Sequence, residues 1–135
     1  MYEVIKKADE FGLNKVFANS RDFVNVIEEL RASKDEIKIS DYSIASGIFS
    51  VKMEHNEAEW LSYILETLEQ MHKKSLKGFS FNMLTKYSDK EYMREDLYYA
   101  DPLFIFDYCK RNFSKNISLL HDYGLYEFTI LVRKI

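Results

Sequence analysis

The sequence is poor in the residues that most often assemble reactive sites, with four glycines, one proline, one cysteine and three histidines. A solitary Cys109 excludes an internal disulfide and suits a reducing compartment. Gly12, Gly47, Gly78 and Gly124 lie far apart, so neither of the common glycine-rich phosphate cradles is present. None of His55, His72 and His121 stands three or four residues from another His or Cys, and no metal or cofactor is expected. No run approaches the ~20 apolar residues that cross a bilayer. The opening MYEVIKKADEF carries Glu3, Asp9 and Glu10 and no apolar stretch, unlike a secretory signal. The expectation is a cytoplasmic protein without membrane contact.

Aromatic residues are what the chain has in excess: ten Tyr, ten Phe and one Trp in 135 residues. A hydrophobic fraction of 47% beside 30% charged residues is that of a globular protein, and the length fits one domain over residues 1–135. The net charge of −3 is uneven. Residues 1–60 hold eight basic against twelve acidic side chains, and residues 61–135 hold eleven against ten. Neither half offers the dense basic field of a nucleic-acid binder. An acidic first half suits a basic partner instead.

Periodicity divides the chain. Residues 2–11 place Val4, Ile5, Ala8 and Phe11 on one helical face before Gly12, and Phe23, Val24, Ile27 and Leu30 do the same over residues 20–32. Between residues 36 and 53 the period drops to two: Ile37 and Ile39, then Phe49, Val51 and Met53, alternate with polar residues. Ser46-Gly47 reads as a turn or bulge. The spacing of Leu61, Ile64, Leu65, Leu68 and Met71 predicts a helix over 57–76, with Asn56 and Glu59 as a capping box. Phe79, Phe81 and Met83 predict a strand closing near Tyr87. Ser88 and Glu91 resemble a second capping box, for a helix over 89–100. Asp101-Pro102 opens another to about Asn112, with Leu103, Phe106 and Phe113 on its buried side. Tyr126, Phe128, Ile130 and Val132 share one face of a last strand over 125–135; the tract 117–121 before it either pairs with it as a hairpin across Asp122–Gly124, the reading adopted, or prolongs the preceding helix. The expected fold class is α+β, a mainly antiparallel sheet of four to five strands packed against three to five helices.

Few constellations carry chemistry. Glu36-Ile37-Lys38 followed by Asp41 has the form of a metal-dependent nuclease strand, with acids for Mg²⁺ and a lysine for developing charge. The same residues equally make the solvent side of an alternating strand. His121 beside Asp122 has the form of an oriented base, with Ser118 or Cys109 as nucleophile, but nothing like a nucleophile elbow surrounds either. His72 falls on an apolar helical stripe and reads as a core-edge residue. Lys77-Gly78-Phe79-Ser80-Phe81 is weakly similar to the aromatic strand of an RNA-recognition motif, and a core strand explains it better.

Residues 87–108 concentrate tyrosines and acids. Wound as a helix, Met93, Leu97 and Ala100 form one side, and Tyr92, Asp96 and Tyr99 its neighbour. Glu91, Glu95 and Tyr98 form a third, so some tyrosines reach solvent. Tyrosine gives stiff contact area with a polar tip. The candidate partner-binding residues are therefore Tyr87, Asp89, Glu91, Tyr92, Glu95, Asp96, Tyr98 and Tyr99. The expectation from composition is a small non-enzymatic protein-binding inhibitor, immunity-protein-like or phage anti-defence-like, that blocks a partner protein such as a basic toxin or nuclease. The alternatives are a nuclease-like enzyme using Glu36, Lys38 and Asp41, and a sensor or adaptor domain holding a small ligand.

Overall fold

A computed structural model of the protein describes residues 39–134. The helices expected over 2–11 and 20–32, and the strand residues 36–38 with Glu36 and Lys38, lie outside the described residues. Within them the chain is α+β: β1 (Ser40–Ala45), α1 (Glu57–Lys74), β2 (Ser75–Leu84), a 3₁₀ turn (Lys90–Tyr92), α2 (Pro102–Asn112), β3 (Asn116–Leu120) and β4 (Glu127–Arg133). No helix among these residues is long and apolar enough to cross a membrane.

The four strands form one sheet in the order β1-β2-β4-β3. β1 pairs with β2 in parallel, while β4 is antiparallel to both β2 and β3. β1, β2 and β3 therefore run the same way and β4 alone opposes them. The sheet is mixed rather than purely antiparallel. The reason is topological: parallel neighbours need a crossover, and α1 supplies it between β1 and β2. Two α-helices stand among the described residues, fewer than the three to five expected of the whole chain.

α1 begins where its sequence signals place it. The Asn56 side chain accepts from the Glu59 N–H at 2.8 Å, a cap that contributes about 1 kcal/mol. Glu57 and Glu59 occupy the first turn, and His72, Lys73 and Lys74 the last, which suits the helix dipole. The buried stripe is Trp60, Ile64, Thr67, Leu68 and Met71; Leu61 and Leu65 are only half-buried. α2 has Asp101 as its cap, accepting from the Leu103 N–H at 3.0 Å, with Pro102 as first residue. It buries Pro102, Ile105 and Cys109, whereas Leu103 points to solvent.

Both helices cover one face of the sheet. Phe79, Phe81 and Met83 of β2 stand opposite Val132, Ile130 and Phe128 of β4. These six pack with Trp60, Ile64, Leu68, Met71, Ile105 and Cys109 into one core. Phe49 closes it, its ring edge-on to Phe81 at 5.9 Å, while its carbonyl accepts from Trp60 Nε1–H at 2.9 Å. The opposite face carries exposed Tyr42, Ile44 and Leu131.

Two expected elements are absent. Residues 49–53 form no strand. The chain bends over residues 47–50, Gly47 takes φ +71°, and only Val51 makes a bridge, to Leu97. Residues 89–100 form no helix beyond one 3₁₀ turn. Ser88 cannot cap one, because its hydroxyl donates to the Thr85 carbonyl at 2.6 Å. The backbone of 97–100 is bonded elsewhere, Tyr98 N–H to Ser50 O and Ala100 N–H to Leu84 O, both at 2.8 Å. Tertiary pairing overrides the local helical signal there.

Candidate functional site at the carboxyl ends of the strands

Open sheets with parallel strands bind ligands in the crevice beyond the carboxyl ends of those strands. Three segments leave that rim here: residues 46–56 after β1, 85–101 after β2 and 121–126 after β3. The first two are tied together by their backbones. The N–H groups of Lys52 and Met53 both donate to Asp96 O, at 3.0 and 3.2 Å, and Lys52 Nζ donates to Glu95 O at 2.6 Å.

Between them lies an open cavity of about 750 Å³, lined by Lys52, Met53, Glu54 and Glu57 on one side and by Met93 to Leu97 with Tyr99 on the other. Met93, Leu97 and Met53 give apolar surface. Arg94 and Asp96 neutralise each other through two contacts, at 3.1 and 2.7 Å. Glu54, Glu57 and Glu95 have no such partner among the described residues, which leaves the cavity acidic. Met53 holds φ +53°. A non-glycine residue in that region stores about 1–3 kcal/mol of strain, and such residues cluster at functional sites. Tyr98, on the far side of the same segment, packs against the core. Burial first, and then the Glu57 carboxylate, push its phenol above its ordinary range.

A second group forms where 85–92 meets the end of the β3–β4 hairpin. His121 Nε2 lies 2.9 Å from Thr85 Oγ1. The Tyr126 hydroxyl donates to Asp89, a bond that raises the Tyr126 pKa, with smaller contributions from burial and from the Asp89 charge. The rings of Tyr92 and Tyr126 sit 6.4 Å apart.

The eight residues singled out from the sequence thus fall into separate groups. Glu95, Asp96 and Tyr99 line the cavity. Tyr87 and Tyr92, 59% and 65% exposed, stand on the rim beside His121 and Tyr126. Asp89 bonds Tyr126, Glu91 is exposed and Tyr98 turns to the core edge. Sequence reasoning missed Lys52, Met53, Glu54, Glu57, Thr85 and Tyr126. Two acids flanking the Asn56 cap, Glu54 before it and Glu57 after it, were the one signal available.

Of the nuclease-like set, Glu36 and Lys38 lie outside the described residues, and the remaining candidates stand apart. Asp41 pairs with Lys77 Nζ at 3.5 Å near the amino ends of β1 and β2, away from this rim. Among the described residues no group of three His, Cys, Asp or Glu side chains is placed to hold a metal ion. Cys109 is buried in the core, and burial pushes its thiol up to about 12; it is no nucleophile. His121 is engaged with Thr85 rather than with Asp122.

No family model matches the chain, and no solved structure does. A protein of Mycobacterium tuberculosis named "Putative methyltransferase Rv1506c" is 60% identical over 95 residues, which are 70% of this chain and 57% of that protein. The chain thus spans less than two thirds of that relative's length. The name is that of an enzyme, and it overturns the expectation of a non-enzymatic inhibitor, immunity-type protein or toxin neutraliser. That expectation counted missing His, Cys and Gly as a missing active site. Methyl transfer needs none of them as nucleophile, because the acceptor itself attacks the donor carbon and alignment of the two does much of the work.

Proposed function

We propose that the chain contributes to a methyltransferase, with the acidic cavity beyond β1 and β2 receiving the methyl donor. The observation that carries this reading is the 60% identity over 95 residues to the mycobacterial protein of that name. The chemistry of the cavity supports it. A biological methyl donor of the sulfonium type, such as S-adenosylmethionine, carries a net positive charge and a flat adenine ring beside its polar ribose and amino-acid groups. The carboxylates of Glu54, Glu57 and Glu95 offer it opposite charge, and Met53, Met93 and Leu97 offer apolar contact. When bound, such a donor supplies an electrophilic methyl group. The protein's own part is to hold it, exclude water and orient the acceptor.

Calorimetric titration of the full chain with S-adenosylmethionine tests this. The expected result is saturable binding that weakens with added salt, as an acidic site for a cation requires. Glu54→Gln combined with Glu57→Gln should weaken it about 5- to 30-fold, at roughly 0.5–1 kcal/mol for each exposed carboxylate. Absence of binding to the intact chain, or equal affinity in the double variant, would overturn the assignment of the cavity.

A further inference from the structure

We infer that His121 is the general base of an acceptor subsite at the carboxyl ends of β2 and β3, taking the proton of a phenolic hydroxyl as its oxygen is methylated. This rests on the methyl-transfer reading and adds to it a substrate class and a residue.

Position comes first. Thr85 and His121 are the residues immediately after β2 and β3, two strands that run in the same direction with β4 between them. Their side chains meet on the rim at 2.9 Å. Thr85 is buried and held on every side. Its N–H donates to Tyr126 O, its carbonyl accepts from Ser88, and its Oγ1 accepts from Tyr87 N–H at 3.2 Å. It is a rigid post. The imidazole also lies against Phe128 of the core and against Tyr87, each ring 6.0 Å away.

Chemistry follows from that geometry. A threonine hydroxyl can accept from an imidazole N–H. In the tautomer that gives Nε2–H to Thr85, Nδ1 carries the lone pair and has no partner among the described residues. The same bond serves the imidazolium once Nδ1 is protonated, so the ring need not reorient during proton transfer. A base must reach the proton it removes, and an exposed nitrogen on a fixed ring does so.

The surroundings narrow the acceptor. The exposed Tyr87 ring stands beside the imidazole, and the exposed rings of Tyr92 and Tyr126 stand together further along the rim. Flat aromatic surfaces of this kind suit a planar ring by offset or edge contact. Of the lysines on this segment, Lys86 lies over the Tyr87 ring at 5.3 Å and pairs with Asp101 at 3.0 Å, and Lys90 is flanked in sequence by Asp89 and Glu91. A neutral phenol therefore fits better than an anionic acid. In the step itself, a lone pair of the phenol oxygen forms the new O–CH₃ bond. The C–S bond of the sulfonium donor breaks, its electron pair staying on sulfur as a neutral thioether. The phenolic proton passes to His121 Nδ1 and then to water.

The test uses the full chain, S-adenosylmethionine and a series of para-substituted phenols. His121→Ala should lower kcat/KM for phenol itself by about 10²- to 10⁴-fold, the usual contribution of a general base. The loss should shrink with p-nitrophenol, which ionises without help. Thr85→Val should shift the acid limb of the pH–rate profile while Thr85→Ser restores it, as expected of a positioning residue. Independently of turnover, phenol should move the His121 ring resonances in NMR spectra. Turnover unaffected by His121→Ala, or with those resonances silent, overturns the acceptor site and leaves methyl transfer standing. An inactive wild-type chain whose His121 resonances respond to phenol overturns methyl transfer, and with it the base role, while keeping the aromatic site. An inactive chain with silent resonances removes both.

Discussion

His72 shows how one side chain can make stability depend on pH without taking part in catalysis. It lies at the end of α1, its ring 4.8 Å from Phe113 and 6.3 Å from Phe79, with Nδ1 buried and unbonded. Burial lowers its pKa below 6.5, and the nearby Lys134 ammonium lowers it further. Glu69 opposes the shift and Lys73 adds to it. The folded state therefore favours neutral imidazole more than the unfolded state does. Its contribution is complete above the unfolded pKa of about 6.5 and is lost as pH falls toward the lower folded value. Thermal melting should accordingly decline between roughly pH 7.5 and 5.5. His72→Phe, which keeps the ring contacts, should flatten that decline. An unchanged slope in the variant would show that the unpaired nitrogen is not its origin. The sequence marked His72 as a core-edge residue from its register with Leu65 and Leu68, and there it sits. No residue pattern indicated the orphaned nitrogen, because that depends on Phe79 and Phe113 arriving from two other elements.

Elements were legible wherever their signals are local. Asn56 with Glu59, and Asp101 with Pro102, mark helix starts because a cap is satisfied within a few residues. Strand β4 followed from the alternation of Tyr126, Phe128, Ile130 and Val132, whereas 117–121 reads equally as strand or as helix and is decided only by its pairing with β4. The failures share a cause. Ser88 and Glu91 spell a capping box, yet the Ser88 hydroxyl is committed to Thr85 and the backbone beyond it bridges to Ser50 and Leu84. The cavity was illegible for the same reason, since Lys52–Glu57 and Met93–Tyr99 meet only after folding. Gly78 is an element-scale constraint that the sequence carried without explaining. It sits where β2 runs between β1 and β4, opposite Tyr42 and Arg133. A Cβ there would meet Val132 O at 2.3 Å. That neighbour is backbone in a paired strand, so relief requires the strands to separate. Gly78→Ala should destabilise the protein by about 1–3 kcal/mol or more, as overpacking does, read as a lower urea midpoint at an unchanged m-value. An unaltered midpoint would mean that β4 yields more easily than its pairing implies.

At the scale of the whole molecule, the sheet order sets which parts hold and which can move. β2 and β4 occupy the centre, each bonded on both edges, and they carry the six facing side chains of the core. β1 and β3 are bonded to a single neighbour among the described strands. Opening a central strand breaks two ladders and exposes Phe81, Ile130 and Phe128 at once, so it approaches global unfolding. The rim segments are different. Residues 46–56 and 85–101 are joined by a few isolated bonds and one bridge, Val51 to Leu97. A ligand-binding rim drawn from the less stable parts of a fold, above a rigid centre, can close on its ligand without melting its support. Hydrogen exchange read by mass spectrometry should therefore show three tiers. Peptides covering 79–83 and 128–132 should exchange slowest, those covering 40–45 and 116–120 faster, and 46–56 with 89–97 fastest. Addition of S-adenosylmethionine should slow the last tier selectively. If protection rose equally in all three tiers, binding would act on global stability alone, and the rim would not be the place where the donor is held.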